Sequence, residues 1–102
     1  MAAVEELTER IRRAVAGGDD LGRSVKLDLK GEGVIRIAGG QVSNDDIPSD
    51  LTVTVSARDL KALGRGELDP TRAMMTGRLR LSDMGLAMSL QPKIQALFAR
   101  AV

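Results

Sequence analysis

The 102-residue chain has no cysteine, no histidine, no tryptophan and no tyrosine, and Phe98 is its one aromatic residue. Each absence removes a class of function. Without cysteine there is no disulfide and no thiol nucleophile. Without histidine as well, imidazole acid–base chemistry and Cys/His zinc sites are excluded. Rings usually supply much of a core's buried area; here branched aliphatics and thioethers must do so. Five methionines, counting the initiator, are available for that, and methionine adapts to irregular space. Neither sign of charge dominates, because 15 Lys and Arg face 14 Asp and Glu, for a net charge of +1. Nucleic-acid binding needs a basic surplus. The nearest clusters, Arg10, Arg12 and Arg13, and Arg78 with Arg80, interleave with apolar or acidic residues. No nucleic-acid partner is expected. The most apolar stretch, residues 84–102, is interrupted by Gln91, Pro92, Lys93 and Gln95, so it is not a membrane span. The opening "MAAVEELTER" is acidic and amphipathic, unlike a secretory signal. An uncrosslinked fold that rests on packing suits a reducing compartment, and a cytoplasmic location is the expectation.

The length predicts one domain over residues 1–102. Val4, Leu7, Ile11, Ala14 and Val15 recur at helical spacing, and Gly17 with Gly18 ends that helix. Asp19 to Arg23 read as a linker. Val25, Leu27 and Leu29 alternate with Lys26, Asp28 and Lys30, as on a strand with one wet face. A loop of Gly31, Glu32 and Gly33, with Gly33 left-handed, would complete a hairpin. Leu29 would then face Ile35, Leu27 would face Ile37, and Asp28 would pair with Arg36. A short strand is expected at Gln41 to Ser43, and a longer one through Leu51, Val53 and Val55.

Ser56 reads as the cap of a helix that buries Leu60 and Leu63 and ends at Gly64. Asp69 and Pro70 begin a short helix that ends near Gly77. Leu79 and Leu81 alternate with Arg78 and Arg80 as another strand. Ser82 and Asp83 cap the next helix. In it Met84, Met88, Leu86, Leu90 and Ala87 wrap most of the circumference, leaving little to face water. Pro92 is expected to start a further helix with Ile94, Leu97, Phe98 and Ala101 on one stripe. The sum is an α+β two-layer sandwich, with helices over one sheet face and water on the other.

Chemistry has few candidates. Asp45, Asp46 and Asp50 do not have the spacing of a calcium loop, and "NDDIPSD" is good turn chemistry in its own right. Gly64, Arg65 and Gly66 are too short a run to cradle a phosphate. No nucleophile with a partnered base can be named, so no enzyme, cofactor or metal is expected. What stands out is apolar. Leu60, Leu63, Met74, Met75, Met84, Leu86, Met88, Leu90, Leu97 and Phe98 are either plain core or the walls of a cavity gated by the last helices. Periodicity alone leaves both open.

The run "DLKALGRGELDPTRAMMTGRLRLSDMGLAMSL", Asp59 to Leu90, resembles the sterol-carrier-protein-2 family of nonspecific lipid-transfer domains. The family pattern has an Asp-Leu helix, a Gly-x-Leu-Asp-Pro turn and an Ala-x-x-x-Gly-Lys/Arg-Leu-x-Leu/Ile strand start. Its closest members continue with a Met-Gly-Leu-Ala-Met-x-Leu-Gln helix. Here those are Asp59-Leu60, Gly66 to Pro70, Ala73 to Leu81, and Met84 to Gln91; "DLTVTVS", Asp50 to Ser56, matches the preceding strand. The resemblance covers roughly residues 24–91. It implies a five-stranded, mostly antiparallel sheet with helices on one side and an apolar tunnel between the layers. The tunnel would take a fatty acid, fatty acyl-CoA, a sterol-like molecule or a phospholipid. The N-terminal and C-terminal helices would help to close it.

The implied ligand-binding set joins Leu60, Leu63, Met74, Met75, Met84, Leu86, Met88 and Leu90. Leu79, Leu81, Leu97 and Phe98 stand beside them, and Gln91 is a polar contact near an opening. Family members often carry rings where this chain has Met74 and Met75, which suits a flexible chain here better than a rigid sterol. Their first hairpin is commonly longer. The chain ends Arg-Ala-Val rather than in an Ala-Lys-Leu type of tripeptide, so import into peroxisomes by that signal is not expected. The expected protein is a monomer or weak dimer, with at most transient membrane contact. The alternative is an interaction module in which Ile94, Leu97 and Phe98 dock on a partner and the interior is filled.

Overall fold

The computed structural model describes residues 2–18 and 21–101. Helix α1 (Ala2–Ala16) leads into β1 (Val25–Asp28), β2 (Val34–Ala38), β3 (Gln41–Ser43) and β4 (Leu51–Val55). Helices α2 (Ala57–Gly64) and α3 (Pro70–Met75), strand β5 (Leu79–Leu81) and helix α4 (Met84–Ala101) complete the chain. The five strands form one sheet in the order β3-β2-β1-β4-β5. Three pairings are antiparallel, and β1 with β4 is parallel. Alternation decides the layering. Val25, Leu27, Ile35, Ile37, Leu51, Val53 and Val55 are buried beneath the helices, while Lys26, Arg36, Thr52 and Arg80 turn to the other face.

The hairpin closes two residues away from the expected register. Val25 lies opposite Ile37, Leu27 opposite Ile35, and Lys26 opposite Arg36; Asp28 faces Val34 and does not pair with Arg36. The reason lies in the turn. Lys30 (φ +54°) and Gly31 (φ +91°) take the two central positions, Glu32 N–H donates to the Leu29 carbonyl at 3.3 Å, and Leu29 N–H donates to Gly33 at 3.0 Å. Two positive φ values in succession match the twist of a tight hairpin. Because the shift is by two, the apolar face survives intact. The two cations left opposite each other on the wet face find separate partners in the 44–50 loop that crosses it. Lys26 Nζ meets Asp46 at 2.9 Å, and Arg36 Nε donates to Ser49 at 2.9 Å.

The helix caps follow the expected local chemistry. Ser56 Oγ accepts from Asp59 N–H, Asp69 accepts from Thr71 N–H, and Asp83 accepts from Leu86 N–H. Helix α2 ends at Gly64 as expected, and Gly66 (φ +77°) takes the left-handed reversal two residues on. Asp19 and Asp20 of the expected linker lie outside the described residues, and Leu21 is part of the core.

The larger correction is at the end of the chain. Residues 84–101 form one helix with Pro92 inside it, not two helices that meet there. Pro92 has no N–H for the Met88 carbonyl, a defect that would end many helices. Both residues lie at the surface, where water can serve that carbonyl. Ala87 and Leu90 before the proline, and Leu97, Phe98 and Ala101 after it, are all buried, so packing holds the two halves in line. Nor is its first half sheltered from water as expected, since Met84 and Met88 are exposed. Helix α4 packs on both α1 and α2, and α1 lies over β3. No helix among the described residues is long and apolar enough to cross a membrane.

Candidate functional site

Between α2, α3, α4 and the β4–β5 side of the sheet the layers do not meet completely. They leave a pocket of about 430 Å³. Leu51 and Val53 of β4, with Leu79 and Leu81 of β5, form its floor. Leu60 and Leu63 of α2 form one wall, and Pro70, Thr71, Met74 and Met75 of α3 another. Helix α4 closes the third side with Met84, Ala87, Met88, Gln91, Ile94, Gln95 and Phe98. The deep residues are shielded, and the rim is not: Met75 is 83% exposed, Met88 68% and Met84 48%.

The geometry of α4 explains the division. Met84, Met88, Gln91, Gln95 and Phe98 follow one another at spacings of four and three, so they share one face. Ala87, Leu90, Ile94, Leu97 and Ala101 make a neighbouring stripe, packed into the core apart from Ile94, which is partly buried. One helix thus carries a core seam and a pocket seam side by side. Leu90 and Leu97 are buried in the core and Leu86 packs against it, so these three members of the expected set lie off the pocket. The other ten (Leu60, Leu63, Met74, Met75, Leu79, Leu81, Met84, Met88, Gln91 and Phe98) all line it.

Leu51, Val53, Pro70, Thr71, Ala87, Ile94 and Gln95 line it too and were not in that set. Gln95 had a sequence signal, its spacing of four from Gln91. The two β4 residues had none, because the inner face of a strand reads the same whether it meets side chains or a void.

Among the described residues no lining residue is charged. The polar groups are Thr71 and the amides of Gln91 and Gln95, and Gln95 Nε2 donates to the Leu63 carbonyl at 3.4 Å. The pocket therefore has nothing to set against a buried charge, and it favours apolar matter with any polar end near the rim. It is open-sided, and no described residue of α1 lines it, so among the described residues the N-terminal helix does not close it as expected. The stripe of Ile94, Leu97 and Phe98 folds back on the chain's own core and pocket, leaving Leu97 and Phe98 unavailable to dock on a partner.

The acidic loop is occupied by structural tasks. Asp46 meets Lys26, and Asp50 accepts from Ser24 N–H at 3.0 Å. Asn44 Nδ2 donates to the Thr8 hydroxyl at 3.0 Å and to the Val34 carbonyl at 2.9 Å. Among the described residues no group of three or more acidic side chains is placed to hold a metal ion.

The family model described as the SCP-2 sterol transfer family matches residues 1–95. Sterol carrier protein 2 of Oryctolagus cuniculus is 41% identical over 54 residues, which are 52% of this chain and 10% of that protein's length. The crystal structure of sterol carrier protein 2 like 2 from Aedes aegypti superimposes with a TM-score of 0.71 at 28% identity, over 87% of this chain and 94% of that one. The solution structure of palmitated SCP2L2 from Aedes aegypti gives a TM-score of 0.64 at 28% identity, over 89% and 93% of the two chains. The chain belongs to the SCP-2 sterol transfer family.

Proposed function

We propose that this domain holds a long acyl chain, or a lipid that carries one, in the pocket beneath α4, and that it does so by burial without chemistry of its own. The observation that carries this reading is the pocket itself: about 430 Å³ with no charged group among the described residues of its lining. That size falls in the range of about 300–1,000 Å³ usual for small-molecule sites. The palmitated relative supports an acyl ligand. Flexible thioethers around the rim suit a chain with many conformers better than a rigid ring system. An uncharged interior leaves a carboxylate or other head group at the rim, within reach of the Gln91 amide.

Magnitudes favour a carrier over a trap. Burying about sixteen carbons at about 0.8 kcal/mol each is worth roughly 12 kcal/mol before costs. Association takes back about 4–15 kcal/mol, and an open rim leaves part of the chain wet. At the low end of that cost about 8 kcal/mol remains, an affinity in the micromolar region, weak enough to release cargo to a membrane or an enzyme.

The test is direct. Native mass spectrometry of the purified chain should show co-purifying lipid, and a fluorescent fatty acid should titrate saturably. Ala87 is buried in the pocket wall, so Ala87→Trp fills the space without adding charge. It should weaken binding by at least about tenfold while the circular dichroism spectrum is kept. A folded Ala87→Trp variant that binds as well as the parent chain would place the ligand elsewhere.

A further inference from the structure

All the methionines beyond the initiator, Met74, Met75, Met84 and Met88, line the same pocket. The chain has no cysteine, histidine, tryptophan or tyrosine. Its easily oxidised side chains past position 1 are therefore gathered at one site, and the rim members Met75, Met84 and Met88 are open to solvent. We propose that these methionines are a reversible oxidation site through which peroxide loosens the pocket's hold on an apolar ligand. The proposal rests on the lipid-binding reading above.

The step balances with hydrogen peroxide as the oxidant. A lone pair on the thioether sulfur attacks one peroxide oxygen and the O–O bond breaks. The departing hydroxide takes the proton left on the new S–O–H group and leaves as water. Sulfur loses two electrons and peroxide gains them. The product is a sulfoxide, polar and chiral where an apolar thioether stood, and methionine sulfoxide reductases reverse it, one enzyme for each epimer. In the empty pocket a rim sulfoxide is solvated by water. An incoming acyl chain strips that water and offers the S=O oxygen no donor in its place, so the penalty falls on the bound state. A bound chain also covers sulfur atoms that line the pocket, and so shields them from peroxide.

Graded hydrogen peroxide on the purified full chain tests this, with peptide mass spectrometry for the sulfoxide at each position, a fluorescent fatty acid for affinity and circular dichroism for the fold. Met75 and Met88 should convert first, by exposure. The apparent Kd should rise by roughly tenfold on full conversion with helix content unchanged, and methionine sulfoxide reductases should restore it. Saturating palmitate should slow conversion at Met84 and Met88. A variant with all four positions changed (Met74→Leu, Met75→Leu, Met84→Leu, Met88→Leu), compared only with itself before and after peroxide, should show no change. Should it not fold, Met75→Leu with Met88→Leu, at the exposed positions, carries the same comparison with a smaller response than the parent chain.

An unchanged Kd in the fully oxidised chain would overturn the proposal. So would an equal rise in the leucine variant, or a loss of binding that tracks unfolding. An untreated chain that binds no lipid would defeat the lipid-binding reading and this proposal with it. Binding that ignores peroxide would defeat this proposal alone.

Discussion

Lys30 sits at φ +54°, the one described non-glycine residue with positive φ, and the hairpin register depends on it. An L-residue pays about 1–2 kcal/mol to stand in that region. Lys30→Gly should therefore stabilise the fold by about 1 kcal/mol, read as a higher urea midpoint with an unchanged slope. The same residue explains why the register is not legible in the sequence. Alternation with a period of two says which side chains share a face, and a shift by two keeps every face. Val25, Leu27, Ile35 and Ile37 are buried as their alternation implies, while the Asp28–Arg36 pair does not form. Asp50 marks another local tie. The Ser24 N–H first, then the Ser24 side chain, hold its carboxyl below the ordinary value of 3.8; Arg23 and Arg36 add to this and burial opposes it. A lowered folded-state pKa means that the unfolded chain binds the proton more readily. The stabilisation is then present above the ordinary carboxylate value and lost as pH falls through the lowered one. Asp50→Asn should be less stable than the parent chain near neutral pH, and the gap should close as pH falls below 3.8 and through the lowered value in thermal unfolding.

Helix termini are the most readable elements, because capping is local chemistry. Ser56, Asp69 and Asp83 cap as their types and neighbours suggest. The end of α2 at Gly64 is as local, and the left-handed reversal follows at Gly66. Pro92 misleads. Its local preference opposes helix continuation, but residues buried on both sides override that preference. A proline inside a helix should remain a net cost there. Pro92→Ala restores an N–H to the Met88 carbonyl and should add about 1–3 kcal/mol in urea unfolding. If the proline also sets the line of α4 along the pocket, fatty-acid affinity will change with it, and the same variant reports both.

Across the molecule, the two layers and the wet sheet face are visible in the pattern of apolar positions, and the β1–β4 parallel pairing and the open pocket are not. Periodicity ranks Leu86 and Leu90 beside Met84 and Met88, since both pairs are spaced by four. Only the packing of α4 between α1 on one flank and α2 on the other separates a core seam from a pocket seam. On α4 the thioethers face the void and the leucines face the core, a division of material that suits a site which must fit a flexible guest.

That division also supplies the probe. In a chain labelled at its methionine methyl groups, Met74, Met75, Met84 and Met88 each report from the pocket lining. Titration with a long-chain fatty acid, followed by nuclear magnetic resonance, should move all four signals together along one saturable curve, with an affinity in the micromolar region. Methyl signals that stay fixed while the fatty acid binds, or no saturable binding at any lipid concentration below its micelle threshold, would contradict a ligand site beneath α4.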